Sequence, residues 1–144
     1  MQSKCKQVPI AVAILAVVVF GVGAAQAQKL KGETGSSAQW SSGWLTLKSM
    51  TNFSKGDHLK LVVGGPATKI VVRLLARGAA PETSAGAIGV FDVPKDHVVD
   101  VVIPDDRKDV IQISVHGGSN PWGQFPLGDG NGAATIKSAE LVHQ

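Results

Sequence analysis

The sequence predicts an all-β protein, an antiparallel jelly-roll β-sandwich of about eight strands behind an N-terminal signal peptide. Three observations carry that expectation. Beyond residue 27 no stretch repeats its apolar residues at helical spacing. Short segments instead alternate apolar and polar residues, as in Leu59-Lys60-Leu61-Val62-Val63 and Ile111-Gln112-Ile113-Ser114-Val115. Gly and Pro clusters separate these segments at roughly eight-to-twelve-residue intervals, which is the rhythm of a sandwich or barrel.

Met1 to Ala27 reads as a leader. Lys4 and Lys6 precede the apolar run Val8 to Gly23, and Ala25-Gln26-Ala27 puts small residues at minus three and minus one of a cleavage site before Gln28. That run is shorter than the roughly 20 residues of a comfortable membrane span. The expected protein is therefore periplasmic or secreted, with no membrane attachment after cleavage. Removing residues 1–27 from the 144 leaves 117, within the usual size of one domain. It also removes Cys5, the single cysteine, so the fold must hold without a disulfide. The 14 Lys plus Arg become 12 when Lys4 and Lys6 go, against an unchanged 11 Asp plus Glu. A balance that close to neutral, with no run of basic residues, argues against nucleic acid as a partner.

Residues 28–43 are polar and rich in Gly and Ser, the composition of a flexible N-terminal segment, with Trp40 as an exception. The sandwich itself is expected over 44–144. From Trp44 the chain alternates, with Trp44, Thr46 and Lys48 on one face and Leu45 and Leu47 on the other. After the turn Ser54-Lys55-Gly56-Asp57, Leu59, Leu61 and Val63 share a face. Thr68 to Ala76 is apolar on both faces, as in a central strand covered on both sides. Arg73 interrupts it. Either it is buried and paired with Asp92 or Asp100, or it sits at an edge and snorkels to water.

Ala87 to Val93 and Val98 to Ile103 read as strands joined by a turn at Pro94-Lys95-Asp96. Pro104 to Asp109 is a charged turn. In the strand Val110 to Val115, Ile111, Ile113 and Val115 point to the core, and Gln112, Ser114 and His116 either face solvent or line a concave sheet surface. Ala133 to Val142 closes the fold. Ile136 and Leu141 fall on opposite faces by strict alternation, which predicts a bulge near Ala139.

The candidate contacts lie where that penultimate strand ends. His116 is followed by a Gly-rich stretch holding Asn120, Trp122 and Gln124. An indole face stacks on the C–H side of a sugar ring while Asn, Gln and His supply directed hydrogen bonds. Trp122 is read either as such a platform or as a lid over the open end of the sandwich; Trp40 and Trp44 are further candidate contacts. Asp105 and Asp106 read as a solvated turn. Neither a metal-ligand spacing nor a G-x-S-x-G nucleophile elbow is visible, and no cofactor is expected.

The segments KGDHLKLVV, TKIVVRLLA, HVVDVVIP, DVIQISVHGG and NGAATIKSAEL together resemble galactose-binding-like jelly-roll domains, the architecture of discoidin domains and many carbohydrate-binding modules. The resemblance is one of strand pattern over Trp44 to Val142, strongest in the last strand, IKSAEL. It implies a sandwich whose ligands bind at loops on one end or on the concave sheet. The expected function is thus an exported, non-catalytic domain binding carbohydrate or a similar envelope ligand. Two alternatives stand beside it: a structural or protein-interaction protein of the envelope, and a small hydrolase using His116.

Overall fold

The computed structural model describes residues 26–79, 86–118 and 132–144. The described residues form nine strands, all pairing antiparallel, and no helix. In chain order these are β1 (Gln26–Lys29), β2 (Gly32–Ser37), β3 (Ser42–Phe53), β4 (His58–Gly64), β5 (Lys69–Ala76), β6 (Ala87–Asp92), β7 (Val98–Val102), β8 (Arg107–His116) and β9 (Thr135–His143). They build a four-stranded sheet, β1-β9-β4-β7, and a five-stranded sheet, β2-β3-β8-β5-β6. Apart from the β2–β3 and β5–β6 connections, every link carries the chain from one sheet to the other. The protein is a β-sandwich.

Alternation explains which side of each strand faces inward. Leu59, Leu61 and Val63 of β4 meet Ile70, Val72 and Leu74 of β5 and Ile113 and Val115 of β8, each at most 2 % exposed. Phe53, at the end of β3, is among the largest side chains in this core. Among the described residues 21 buried hydrophobic side chains form this core between the two sheets, and with no described Cys it is their burial that holds the sandwich together.

Two of the parity expectations are refined by bulges. In β8, Val110 rather than Ile111 joins the core, because the register against β5 passes from Leu75↔Gln112 directly to Ala76↔Val110 and leaves Ile111 as the extra residue. In β9 the register against β4 passes from Val62↔Ser138 to Val63↔Ile136, so the bulge lies at Lys137. That is two residues before the expected Ala139, and it brings Ile136, Ala139 and Leu141 to one buried side.

Segment 28–43, expected as a flexible N-terminus, contributes strand pairing. Lys29 pairs with Glu140, Leu30 is buried, and Gly32 to Ser37 run beside β3. Edge pairing is a property of backbone N–H and C=O groups, so a Gly/Ser-rich composition does not prevent it. The expected boundary at residue 44 therefore falls inside β3.

Arg73 is buried, as the first of the two expectations has it. It is 2 % exposed in the middle of β5, between β8 and β6, so it neither lies at an edge nor snorkels. Asp92 accepts a hydrogen bond from Lys69 Nζ at 2.8 Å, and Asp100 lies on the opposite sheet bonded to His58 Nδ1 at 2.9 Å.

One end of the sandwich is pinched by glycines. A Cβ on Gly43 of β3 would lie 2.5 Å from Thr135 Cα, and one on Gly65 would lie 2.5 Å from the Ala133 carbonyl oxygen. The Gly117 and Ala134 amides both donate to Ser41 O, at 2.9 and 3.3 Å. The β2–β3 turn, Gly118 and Gly132 thus meet at this end.

Candidate functional site

The two outward faces of the sandwich differ in kind. On the four-stranded sheet, Asp100, Lys60, Glu140 and Lys29 stand in one row across β7, β4, β9 and β1, alternating in sign. All four are exposed. A solvated charge ladder of this sort keeps a sheet face wet and contributes little per pair.

The five-stranded sheet turns a different set outward. Three cross-strand rows span β3, β8 and β5: Ser42–His116–Val71, Trp44–Ser114–Arg73 and Thr46–Gln112–Leu75. Six of these residues are buried: Ser42, Ser114, His116, Arg73, Val71 and Leu75 are each at most 7 % exposed. The polar set that alternation points away from the core is therefore withdrawn from bulk water. Ser114 Oγ is buried with no hydrogen-bond partner among the described residues. Gln112 Nε2 donates to Thr46 Oγ1 at 3.1 Å, and this pair is exposed. It marks the wet margin of the face.

Trp44 is held flat by its neighbour on β2. It stands opposite Gly35, where a Cβ would lie 2.5 Å from the indole Nε1 and 2.6 Å from Cε2. The ring occupies the space the missing side chain leaves, an aromatic–glycine cross-strand pair. Trp44 remains partly exposed in that position.

His116 carries the largest electrostatic perturbation described. Burial, and secondarily the positive charge of Arg73, lower its pKa from 6.5 to about 4. At neutral pH its ring is uncharged, able to donate at one nitrogen and accept at the other. A base that weak is poorly matched to proton abstraction near neutral pH. The arrangement suits recognition by neutral hydrogen bonds better than hydrolysis.

The sequence-expected contacts divide three ways. His116 and Trp44 are brought to one sheet face, on adjacent strands. Trp40 is 49 % exposed in the β2–β3 turn, one residue before Ser41. Asn120, Trp122 and Gln124 lie outside the described residues, so the choice between platform and lid for Trp122 does too. Arg73, Ser114 and Thr46 join the face although none was expected as a contact. An Arg inside an otherwise apolar central strand was the available signal for the first.

The opposite end of the sandwich holds the His143–Asp57 pair. Asp57, 3 % exposed, accepts from the Ser54 amide at 2.9 Å, His143 Nδ1 at 3.0 Å and the Gln144 amide at 3.4 Å. Burial raises its pKa, but the Ser54 and Gln144 amides and His143 outweigh that, leaving it below the ordinary carboxylate value. Asp106 Oδ1 accepts from the Lys55 amide at 2.9 Å, and Asp105 pairs with Arg107 Nε. Both aspartates work as turn residues. Among the described residues no three His, Cys, Asp or Glu side chains converge as a metal ion would require.

Set beside family models, curated proteins and solved structures, the chain matches none of them.

Proposed function

We propose that this chain is an exported, non-catalytic binding domain for carbohydrate or a similar envelope ligand, and that its contact surface is the outward face of the five-stranded sheet. The observation that supports this most is the Trp44–Ser114–Arg73 row, an indole, a hydroxyl and a guanidinium on three adjacent strands. The indole offers a flat apolar surface to a sugar ring. Gln112 and Thr46, the exposed pair at the margin of the face, offer directed hydrogen bonds beside it, with Ser114 and uncharged His116 buried beneath. Asn120, Trp122 and Gln124 belong to the same reading, since the chain that carries them departs at Gly118 and returns at Gly132, next to the turn that holds Trp40. The sequence leader supports export.

A glycan array with the parent and two variants tests the proposal. Trp44→Ala removes the indole, and Gly35→Val displaces it without changing Trp44 itself. Both are expected to weaken retention on the glycan that binds the parent about tenfold or more, measured well below either variant's melting temperature. Undiminished binding by both variants rejects this face as the contact surface.

A second reading, a protein-interaction module of the envelope, draws on edge strand β7, where Val98 and Val102 are 36 % and 52 % exposed. Light scattering and a pull-down from envelope extract address it: a monomer that retains no protein counts against it.

A further inference from the structure

A second site lies away from that face, where the β1–β2 link crosses the edge of the sandwich. Lys29 and Lys31 approach it from one side, Lys48, Ser49 and Thr51 of β3 from the other, and they line a cleft of about 240 Å³. Its inner wall includes the buried side chains Leu30 and Leu47. No acidic residue is in the lining.

The cleft exists because β3 bulges there. Its register against β8 passes from Thr46↔Gln112 to Thr51↔Val110, so residues 47–50 stand opposite residue 111 alone. The excess chain swings Lys48 and Ser49 outward, and a bond from Thr51 Oγ1 to Ser49 O at 3.1 Å closes the bend. The Lys48 amide donates to Lys31 O at 2.8 Å, which fixes the two lysines next to each other across the cleft. Like charges at neighbouring cross-strand positions repel. The acidic side chains nearby are Glu140, opposite Lys29 and also beside Lys60, and Glu33, opposite Thr46. None of Lys29, Lys31 and Lys48 takes part in an ion pair among the described residues. Three lysines have thus been gathered around a concavity whose lining holds no acid, with Glu140 facing only Lys29 among them, from positions that the sequence separates by up to 19 places (29 to 48).

We infer that this cleft binds the anionic groups of an acidic polysaccharide: carboxylate, sulfate or phosphate substituents borne on a sugar chain. The inference deepens the carbohydrate reading by giving it a charge preference and a second contact. Lysine recognises anions as a point charge without the fork geometry of arginine, so the site selects for charge more than for the identity of the acid. The cleft is smaller than the roughly 300 Å³ at which pockets for whole drug-sized ligands begin, which suits one substituted sugar of a longer chain. Ser49 and Thr51 add hydroxyls, and Leu30 and Leu47 an apolar wall for a ring. A glycan is favoured over a nucleic acid because no aromatic side chain lines the cleft to stack a base.

Amide chemical shifts of the purified protein, titrated with oligogalacturonate, a sulfated dextran, an uncharged dextran, inorganic phosphate and single-stranded DNA, test it. The acidic glycans are expected to move the amides of Lys31, Lys48, Ser49 and Thr51, and uncharged dextran to leave them in place. The exposed double variant Lys31→Ala/Lys48→Ala should weaken that binding about tenfold, with recovery in Lys31→Arg/Lys48→Arg. Raising salt to about 0.5 M, where screening acts within a few ångströms, should weaken it as well. A preference for the uronate over the sulfated chain, or the reverse, identifies the acid. The inference is overturned if no acidic glycan moves these amides, if phosphate alone binds as tightly as the oligomers, or if DNA binds as tightly. Trp44→Ala separates the two proposals, since it is expected to leave the cleft titration unchanged even where it abolishes binding on the sheet face.

Discussion

His116 should make this protein lose stability in a defined acid window. Its ring is 7 % exposed on β8, with Val71 opposite on β5 and Ser42 opposite on β3, and Arg73 is the charged side chain that perturbs it. In the folded chain it titrates at about 4; the ordinary value is 6.5. Between those two values the unfolded chain binds a proton that the folded chain refuses. Unfolding is then favoured by about 1.4 kcal/mol for each pH unit, and by roughly 3 kcal/mol once pH 4 is reached. The contribution is fully present above 6.5, is lost as pH falls through the window, and changes no further below the folded value. Asp57 acts at lower pH still, because its own pKa is held below the carboxylate range. The two effects therefore separate along the pH axis. Urea unfolding of the parent and of His116→Asn at several pH values from 7 to 4 measures the difference in slope. The parent is expected to weaken steeply across the window and the variant much less, whatever the variant's offset at pH 7. Parallel curves would refute the reasoning, because they would mean that His116 is protonated as readily folded as unfolded.

Asp57→Asn keeps one acceptor oxygen for the Ser54 amide but loses the charge facing His143, and should lower stability at pH 7 by about 1–2 kcal/mol, or roughly 5 °C in melting temperature. The gap between variant and parent should close as pH drops through the folded pKa of Asp57, below its ordinary value; a thermal melt at pH 7 and another near pH 3 show whether it does. Gly43→Ala drives a methyl group against the Thr135 backbone and is expected to cost about 1–3 kcal/mol by forcing the two sheets apart at the pinched end, read from urea midpoints. An unchanged midpoint would show that this end of the sandwich yields more easily than its backbone contacts suggest.

Much of the fold was legible because alternation is a local property. The inward face of β4 follows from spacing alone, as does the interior place of β5, whose apolar residues run on both sides. Bulges were less legible. Their need showed in the parity slip between Ile136 and Leu141, but their position depends on which residue of the neighbouring strand claims a hydrogen bond, and that put the extra residue at Lys137. The polar segment before Trp44 was misjudged for a related reason. Its strands are held by backbone pairing with β9 and β3, and side-chain composition carries no record of that.

The candidate site divides along the same line. By itself the sequence determined that Gln112, Ser114 and His116 share the face opposite the core, that Trp44, Thr46 and Lys48 do likewise, and that one arginine sits inside an apolar strand. Register decided the rest. It set Trp44 beside Ser114 and Ser114 beside Arg73, drew His116 out of water, laid the indole over Gly35 and brought Lys31 against Lys48. Those relations join residues tens of positions apart, and they exist only once both sheets close on a shared core. A two-residue period tells which way a side chain points; only the folded sandwich decides what it meets there.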